Sequence, residues 1–410
     1  MDEPLKLTIV MTHPVQYFAP WFRHIASTCP ALDVTVLYGA IPSAEQQGTG
    51  FGRPFLWDVP LLTGYRYVVC DAAVGRRFGR RRLLGADVAD IGERIAATNP
   101  DVVLVPGWHA LMERRALRAC RKRRIPVLYR GDSTLFSGPR RVVRPLWVLR
   151  TRLMLRLFDA YLSVGSTARE YLQAFDIPEQ RIFQSPHCVD NARFTAAAER
   201  LVDERPRLRE AIGAGPDDFV VFFAGKLIAR KRPLDAVRAV AGLGKSAMLV
   251  VAGDGPLAGD VRAEAARLGI RMNWRGFLNQ SELPAAFAAS DCVVVPSTWE
   301  TWGLIVNEAL ASGVPCVVTS QVPAGADLIR SGETGYCVSV GDVAAVTASL
   351  AAVRAARERG VDFSAACRER VATHSFDTAT TGLLAACRML AGETGIVRGP
   401  QNRPIATHAS

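Results

Sequence analysis

The chain has 410 residues, 49% of them apolar and 22% charged, which suits two ordinary globular domains and argues against a disordered or fibrous protein. Its formal net charge of +11 is uneven: residues 1–200 carry 28 Lys and Arg against 18 Asp and Glu, the remainder 22 against 21. The basic clusters "GRRFGRRR", "ERRALRACRKRR" and "RRVVRPLWVLRTRLMLR" lack the aromatic-interleaved strands or zinc spacing of nucleic-acid modules, so they read as a solvated surface facing an acceptor or a membrane, with no nucleic-acid partner expected.

The N-terminus "MDEPLKLTIVMTHP" places acids before its first apolar run and has no basic n-region, so no secretory signal is expected. From there, short β-branched runs alternate with Ala-, Arg- and Leu-rich stretches of helical length. The first half reads as strands at "LKLTIVMT", "LDVTVLYG", "PDVVLVPG", "IPVLYRG" and "DAYLSVG". The second half repeats the scheme with "DFVVFFAG", "SAMLVVAG", "IRMNWRGF", "DCVVVPS", "VPCVVTS" and "TGYCVSV". Continuous apolar strands separated by helices imply a parallel sheet covered on both faces, so the fold class is α/β with two doubly wound Rossmann-like domains. The expected division is 1–196, a linker with one helix at 197–218, a second domain at 219–375, a C-terminal helix at 376–392 packing back toward the first domain, and a disordered tail at 393–410. No apolar run reaches the ~20 residues a membrane-crossing helix needs. Nine cysteines without a CxxC pair argue against a disulfide framework or zinc site and suit a reducing cytosol.

In doubly wound sheets, ligands sit beyond the carboxyl ends of the strands. After "DFVVFFAG" comes "KLIARKRP", which puts Lys226 at the strand end and Lys231 five residues on, two cations able to converge on an anion. After "DCVVVPS" comes "TWETWGLIVNEALASG": Glu300 hangs in the loop, Gly303 opens a helix, and Glu308 lies inside it. The helix amides near Gly303 and Leu304 carry partial positive charge, and carboxylates accept paired hydroxyl donors well. Singly, each feature reads equally well as a basic loop or a solvated acid. In this order they describe a sugar-diphosphate site.

The ordered set "GKLIARKRP", "VVAGDGP" and "WRGFLNQSELPAAFAASDCVVVPSTWETWGLIVNEALASGVPCVVTS" resembles the nucleotide-sugar half of the retaining glycosyltransferases of family 4, which have the two-domain GT-B architecture. "SPHCVD" is similar to that family's interdomain element, and "HPVQYFAP" resembles a bacterial subgroup with HPxQYxxP openings. The resemblance implies that Lys226 and Lys231 grip the donor diphosphate and that Glu308 holds the ribose hydroxyls. It implies that Glu300 faces the transferred sugar, that the Gly303 and Leu304 amides lie by its phosphate, and that Phe277 and Leu278 cup the base. The family's usual histidine after the strand "IPVLYRGD" is replaced by Asp132, with His109 and His13 as candidates to take its place. The implied activity is metal-independent transfer of a sugar, with retention, from a nucleoside-diphosphate donor (UDP by default) to a hydroxyl acceptor, either a lipid-linked glycan or a small-molecule aglycone. No cofactor is expected. A cytoplasmic protein, peripheral on the inner membrane surface if its basic first half touches lipid, fits this reading. A nucleotide-sugar epimerase, a phosphorylase-like enzyme or an inactive nucleotide-sugar-binding protein are the alternatives.

Overall fold

The computed structural model describes residues 3–49, 51–70, 86–137 and 144–393. The first part runs β1 (Leu5–Met11), α1 (Phe18–Thr28), β2 (Leu32–Tyr38), α2 (Ala44–Gln47), β3 (Arg66–Val69), α3 (Ile91–Ala97), β4 (Val102–Val105) and α4 (Leu111–Arg123). It continues through β5 (Val127–Gly131), α5 (Arg144–Leu155), β6 (Ala160–Ser163), α6 (Ser166–Ala174) and β7 (Ile182–Gln184). Two helices follow, α7 (Asn191–Arg200) and α8 (Arg205–Ala211). The second sheet is built from β8 (Phe219–Ala224), α9 (Pro233–Ala241), β9 (Ala247–Ala252), α10 (Ala258–Leu268), β10 (Arg271–Gly276), α11 (Leu283–Ala289) and β11 (Cys292–Val295). It is completed by α12 (Leu304–Ala311), β12 (Cys316–Thr319), α13 (Pro323–Leu328) and β13 (Gly335–Val338), before α14 (Val343–Glu358), α15 (Ser364–Ala372) and α16 (Phe376–Glu393).

Among the described residues the first sheet has seven strands in the order β3-β2-β1-β4-β5-β6-β7, and the second has six in the order β10-β9-β8-β11-β12-β13. All pairings are parallel. Strand runs such as Val293–Val295 and Val220–Phe223 are buried along their whole length, as expected of strands covered on both faces. Every strand read from the sequence is present. β3 and β7 were not read: β3 lies at a sheet edge with three of its four residues exposed, and β7 is three residues long at the other edge. Both sheets reverse direction at a switch point, β1/β4 in the first and β8/β11 in the second. The crevices beyond those points are where loops can meet a ligand.

The helix beginning at Asn191 differs from the expected division. α7 packs on α11, α12 and α15, and Phe194 belongs to the core of the second sheet, so the crossing lies near Ser185–Asp190 rather than after 196. The stretch 197–218 contains the end of α7 and all of α8. α16 returns to the first sheet: Ala379, Leu383, Ala386, Cys387 and Leu390 are fully buried with β1, β4 and β6 residues, a stripe at helical spacing. Trp21 Nε1 on α1 donates to Thr380 Oγ1 on α16 at 3.0 Å. The tail 394–410 lies outside the described residues. Eight of the nine cysteines are buried, and no described helix is long and apolar enough to cross a membrane.

Candidate active site

The loop after β8 is held against the loop after β9. Gly253 sits at φ +134°, and a Cβ there would lie 2.0 Å from Gly225 O, so only glycine permits this approach. The "GDGP" turn therefore has a structural role, and it fixes where Lys226 emerges. The loop after β11 delivers Glu300, and Gly303 at φ +108° caps α12 where a Cβ would meet Val322 Cγ1 at 2.7 Å. The N-terminal amides of α12 then open toward the β8/β11 crevice.

A cavity of about 390 Å³ lies between the domains at this crevice. Its second-domain wall includes Gly225, Lys226, Arg230, Lys231, Leu304 and Glu308, and its first-domain wall includes Gln16, Tyr17, Phe51 and Trp57. A larger cavity of about 970 Å³ sits by Phe219, Ser246 and Asp291, at the amino ends of the strands, where the arginines are engaged by Asp291. It lies at the wrong end of the sheet for a ligand of this fold.

Around the first cavity, Lys231 Nζ lies 2.5 Å from Glu300 Oε1, and Arg230 Nη1 3.1 Å from Glu300 Oε2. Ser297 Oγ donates to the same carboxylate at 2.6 Å, and the Arg230 guanidinium covers the Trp299 ring at 4.5 Å. Glu300 is thus a buried carboxylate facing two cations. Lys226 Nζ donates to Thr49 O at 3.3 Å and lies 4.2 Å from the Phe51 ring centroid, both on the first domain. Glu308 accepts from Gln280 Nε2 at 3.2 Å. Gln280 in turn accepts from Arg193 Nη2 at 2.7 Å through its side chain and from Nη1 at 3.0 Å through its backbone carbonyl. Burial pushes the Glu308 carboxyl up to about 7, against the opposing pull of Gln280 and Arg193.

The structure therefore brings Lys226, Lys231, Leu304 and Glu308 to one cavity, with Glu300 behind Lys231 and Gly303 at the helix mouth. Leu278 does not join them; it lines a separate recess with Leu208, Ala211 and Arg275. Phe277 is buried against Phe51, Phe55 and Trp57 of the first domain. On the first domain, His13 follows β1 and His109 follows β4, so both stand at the switch point. His13 Nδ1 is 2.9 Å from Thr12 Oγ1, and burial holds its imidazolium form down. His109 is exposed and stacked on Trp108 with centroids 6.0 Å apart. Asp132 Oδ2 lies 4.0 Å from His187 Nε2. His187 is buried between Tyr17 and Trp302, with centroids at 5.9 and 5.6 Å, and burial lowers its basicity strongly, ahead of the Arg130 and His374 charges.

Arg230, Arg193, Gln280 and His187 were not singled out from the sequence. Arg230 is one of four basic residues in "KLIARKRP", and only the turn at Ala229–Lys231 decides which of them face the crevice. Arg193 follows the Asp190 cap of α7 by three residues, and its partner Gln280 is 87 positions away. Among the described residues no group of three or more His, Cys, Asp or Glu side chains forms a candidate metal cluster.

Residues 24–193 match the profile of Glycosyltransferase Family 4, and residues 204–370 match that of Glycosyl transferases group 1. A D-inositol 3-phosphate glycosyltransferase of Mycobacterium marinum is 33% identical over 198 residues, 46% of this chain and 42% of that protein, so the match spans less than half of the relative's length. Sucrose-phosphate synthase of Thermosynechococcus elongatus superposes with a TM-score of 0.69 at 17% identity, over 95% of this chain and 100% of that one. HepE of Anabaena, solved with UDP-glucose, gives 0.57 at 15% identity, over 95% and 99%. At these identities the two structures establish the fold. With its halves matching the two profiles in order, the chain belongs to the GT-B glycosyltransferases of group 1 and family 4.

Proposed function

We propose that this protein transfers a sugar from a nucleoside diphosphate, UDP in the first instance, to an acceptor hydroxyl in the cleft between its domains, with anomeric configuration retained. The observation that carries the reading is the convergence on one cavity, at the β8/β11 switch point, of Lys226, Lys231, the α12 N-terminus and buried Glu308. The UDP-glucose bound by HepE, a protein of the same fold, supports the choice of uridine.

As the bond between the anomeric carbon and the phosphate oxygen breaks, its electron pair stays on the diphosphate. The acceptor oxygen bonds the same carbon on the same face, and its proton passes to the departing phosphate. Lys226, Lys231 and the α12 amides are fixed where this negative charge grows, so they stabilise it without rearranging, in the role a divalent ion plays elsewhere. Glu308 holds the ribose hydroxyls. Glu300 balances Lys231 and Arg230 and positions them, and Asp132, His13 and His109 border the sugar and acceptor side. An epimerase with the same binding site differs in one respect: it consumes donor with no acceptor present.

The acceptor lies on the first domain. The outer face of α5 presents Leu146, Leu149 and Leu153 at 72%, 55% and 54% exposure, with Arg150 and Arg156 also exposed. An apolar stripe flanked by arginines suits the surface of an anionic bilayer, which supports a lipid-linked acceptor at the cytoplasmic face. The deciding experiment is turnover of a panel of nucleotide sugars by wild-type protein and Lys226→Ala. Donor-dependent glycosylation lost in the variant supports the reading, and full activity in Lys226→Ala removes the diphosphate assignment.

A further inference from the structure

Residues Phe51–Pro60 of the first domain form a strap that crosses to the second domain. Asn279 Nδ2 donates to Leu56 O at 2.8 Å, and the Ser281 amide donates to the two Asp58 carboxylate oxygens at 3.1 and 3.2 Å. Phe55 and Phe277, both buried, pack with centroids 4.1 Å apart and form the backing layer. Phe51 and Trp57 lean on them at 5.4 and 6.2 Å from Phe277, stay half-buried, and line the cavity.

The strap borders both ends of the nucleotide path. Phe51 touches the Lys226 ammonium, and the segment Phe277–Ser281 that the strap grips includes Gln280, the hydrogen-bond donor to Glu308. A nucleoside diphosphate with its phosphates at Lys226 and its ribose at Glu308 must place its base against one of the remaining walls. Of the aromatic rings along the cavity, Phe194 of the second domain is almost wholly buried, whereas Phe51 and Trp57 of the first domain are half-buried; Phe277 is covered by Phe55, and Leu278 points into a different recess.

We propose that Phe51 and Trp57 form the face on which the donor's heterocyclic base packs, so that the strap from the first domain sets base affinity together with the second domain. This rests on the donor reading above and adds the base subsite to it. Stacking on an aromatic side chain is general to heterocyclic bases and is lost on truncation to alanine. Because the strap also carries Lys226's partner, base binding and grip on the diphosphate share one segment.

The test is calorimetric titration of UDP, ADP, GDP and dTDP, and of inorganic pyrophosphate, into wild-type protein, Trp57→Ala, Phe51→Ala and Trp57→Phe. Trp57→Ala is expected to weaken the preferred nucleoside diphosphate roughly five- to hundredfold, the span of aromatic–base stacking, while pyrophosphate changes less than about twofold on the same scale. Trp57→Phe should recover most of the loss. Phe51→Ala should act likewise, with an added loss for pyrophosphate because Phe51 touches Lys226. Unbroken pyrophosphate binding also reports that the second domain is folded. Unchanged nucleotide affinity in both alanine variants overturns the proposal while leaving the donor site standing, as does an equal loss for nucleotide and pyrophosphate in Trp57→Ala. Wild-type protein that binds no nucleoside diphosphate removes the donor site itself, and the base subsite with it.

Discussion

Lys231 Nζ stands 2.5 Å from Glu300 Oε1, with Glu300 buried and the lysine itself only 20% exposed in its side chain. The pair gives Glu300 a structural role: it balances Lys231 and Arg230. Removing one member of a buried pair leaves the other charge uncompensated. Glu300→Ala is therefore expected to lower unfolding free energy by about 3 kcal/mol in urea titrations, with less loss for Glu300→Gln, which keeps the Ser297 hydrogen bond. Equal stability of wild type and Glu300→Ala contradicts a structural share for this pair.

Glu308 carries a pH dependence of known sign. Burial raises its folded-state carboxyl to about 7, well above the ordinary carboxylate range. A raised carboxyl pKa gives a stability contribution that is full below the unfolded value and lost as pH rises through about 7. Ligand binding runs the other way, because two ribose hydroxyls need an ionised acceptor. Affinity for a nucleotide sugar, whose diphosphate has no group titrating near neutrality, should fall by up to about tenfold per pH unit below 7. Arg193 faces the carboxylate through Gln280. In Glu308→Gln the affinity should be lower and flat between pH 6 and 8; a slope that survives this substitution assigns the titration to another group.

The strand runs and the order of the two lysines and two glutamates were legible because each depends on local pattern: continuous β-branched segments, strand-end cations, a glycine that opens a helix. What was hidden depends on contacts distant in the chain. Arg193, Gln280 and Glu308 form one hydrogen-bonded chain over 115 positions, and no local spacing encodes it. The role of "FGRPFLWDVP" rests on its contacts with Asn279 and Phe277, more than 220 positions away. The edge strands β3 and β7 escaped because edge positions need little apolar signal. The places of Phe277 and Leu278, just past the end of β10, depend on distant partners: Phe55 covers the first, and the second sits in a recess with Leu208 and Arg275.

The C-terminal helix offers a test of the architecture that does not involve the ligand. Gly382 on α16 approaches β7 so closely that a Cβ would lie 1.7 Å from Gln184 O. Gly382→Ala should push α16 off the first sheet, uncovering Leu383 and Leu390, each of which contributes about 1.5–3 kcal/mol when buried. A melting point lowered by several degrees, with faster proteolysis after residue 375, is the expected result. An unchanged melting point argues that the helix docks elsewhere.

The membrane reading predicts that wild-type protein sediments with vesicles containing anionic lipid and much less with neutral ones. Leu146→Ser/Leu149→Ser/Leu153→Ser should release it at low salt, and raised salt should weaken binding of both forms. Sedimentation of the triple variant equal to wild type moves the contact away from α5.

A crystal structure with a bound nucleotide sugar tests the central assignment most directly. The account predicts the diphosphate between Lys226, Lys231 and the amide of Leu304, with ribose hydroxyls on Glu308. A donor ordered at full occupancy elsewhere, with those four residues left without ligand contacts, contradicts it.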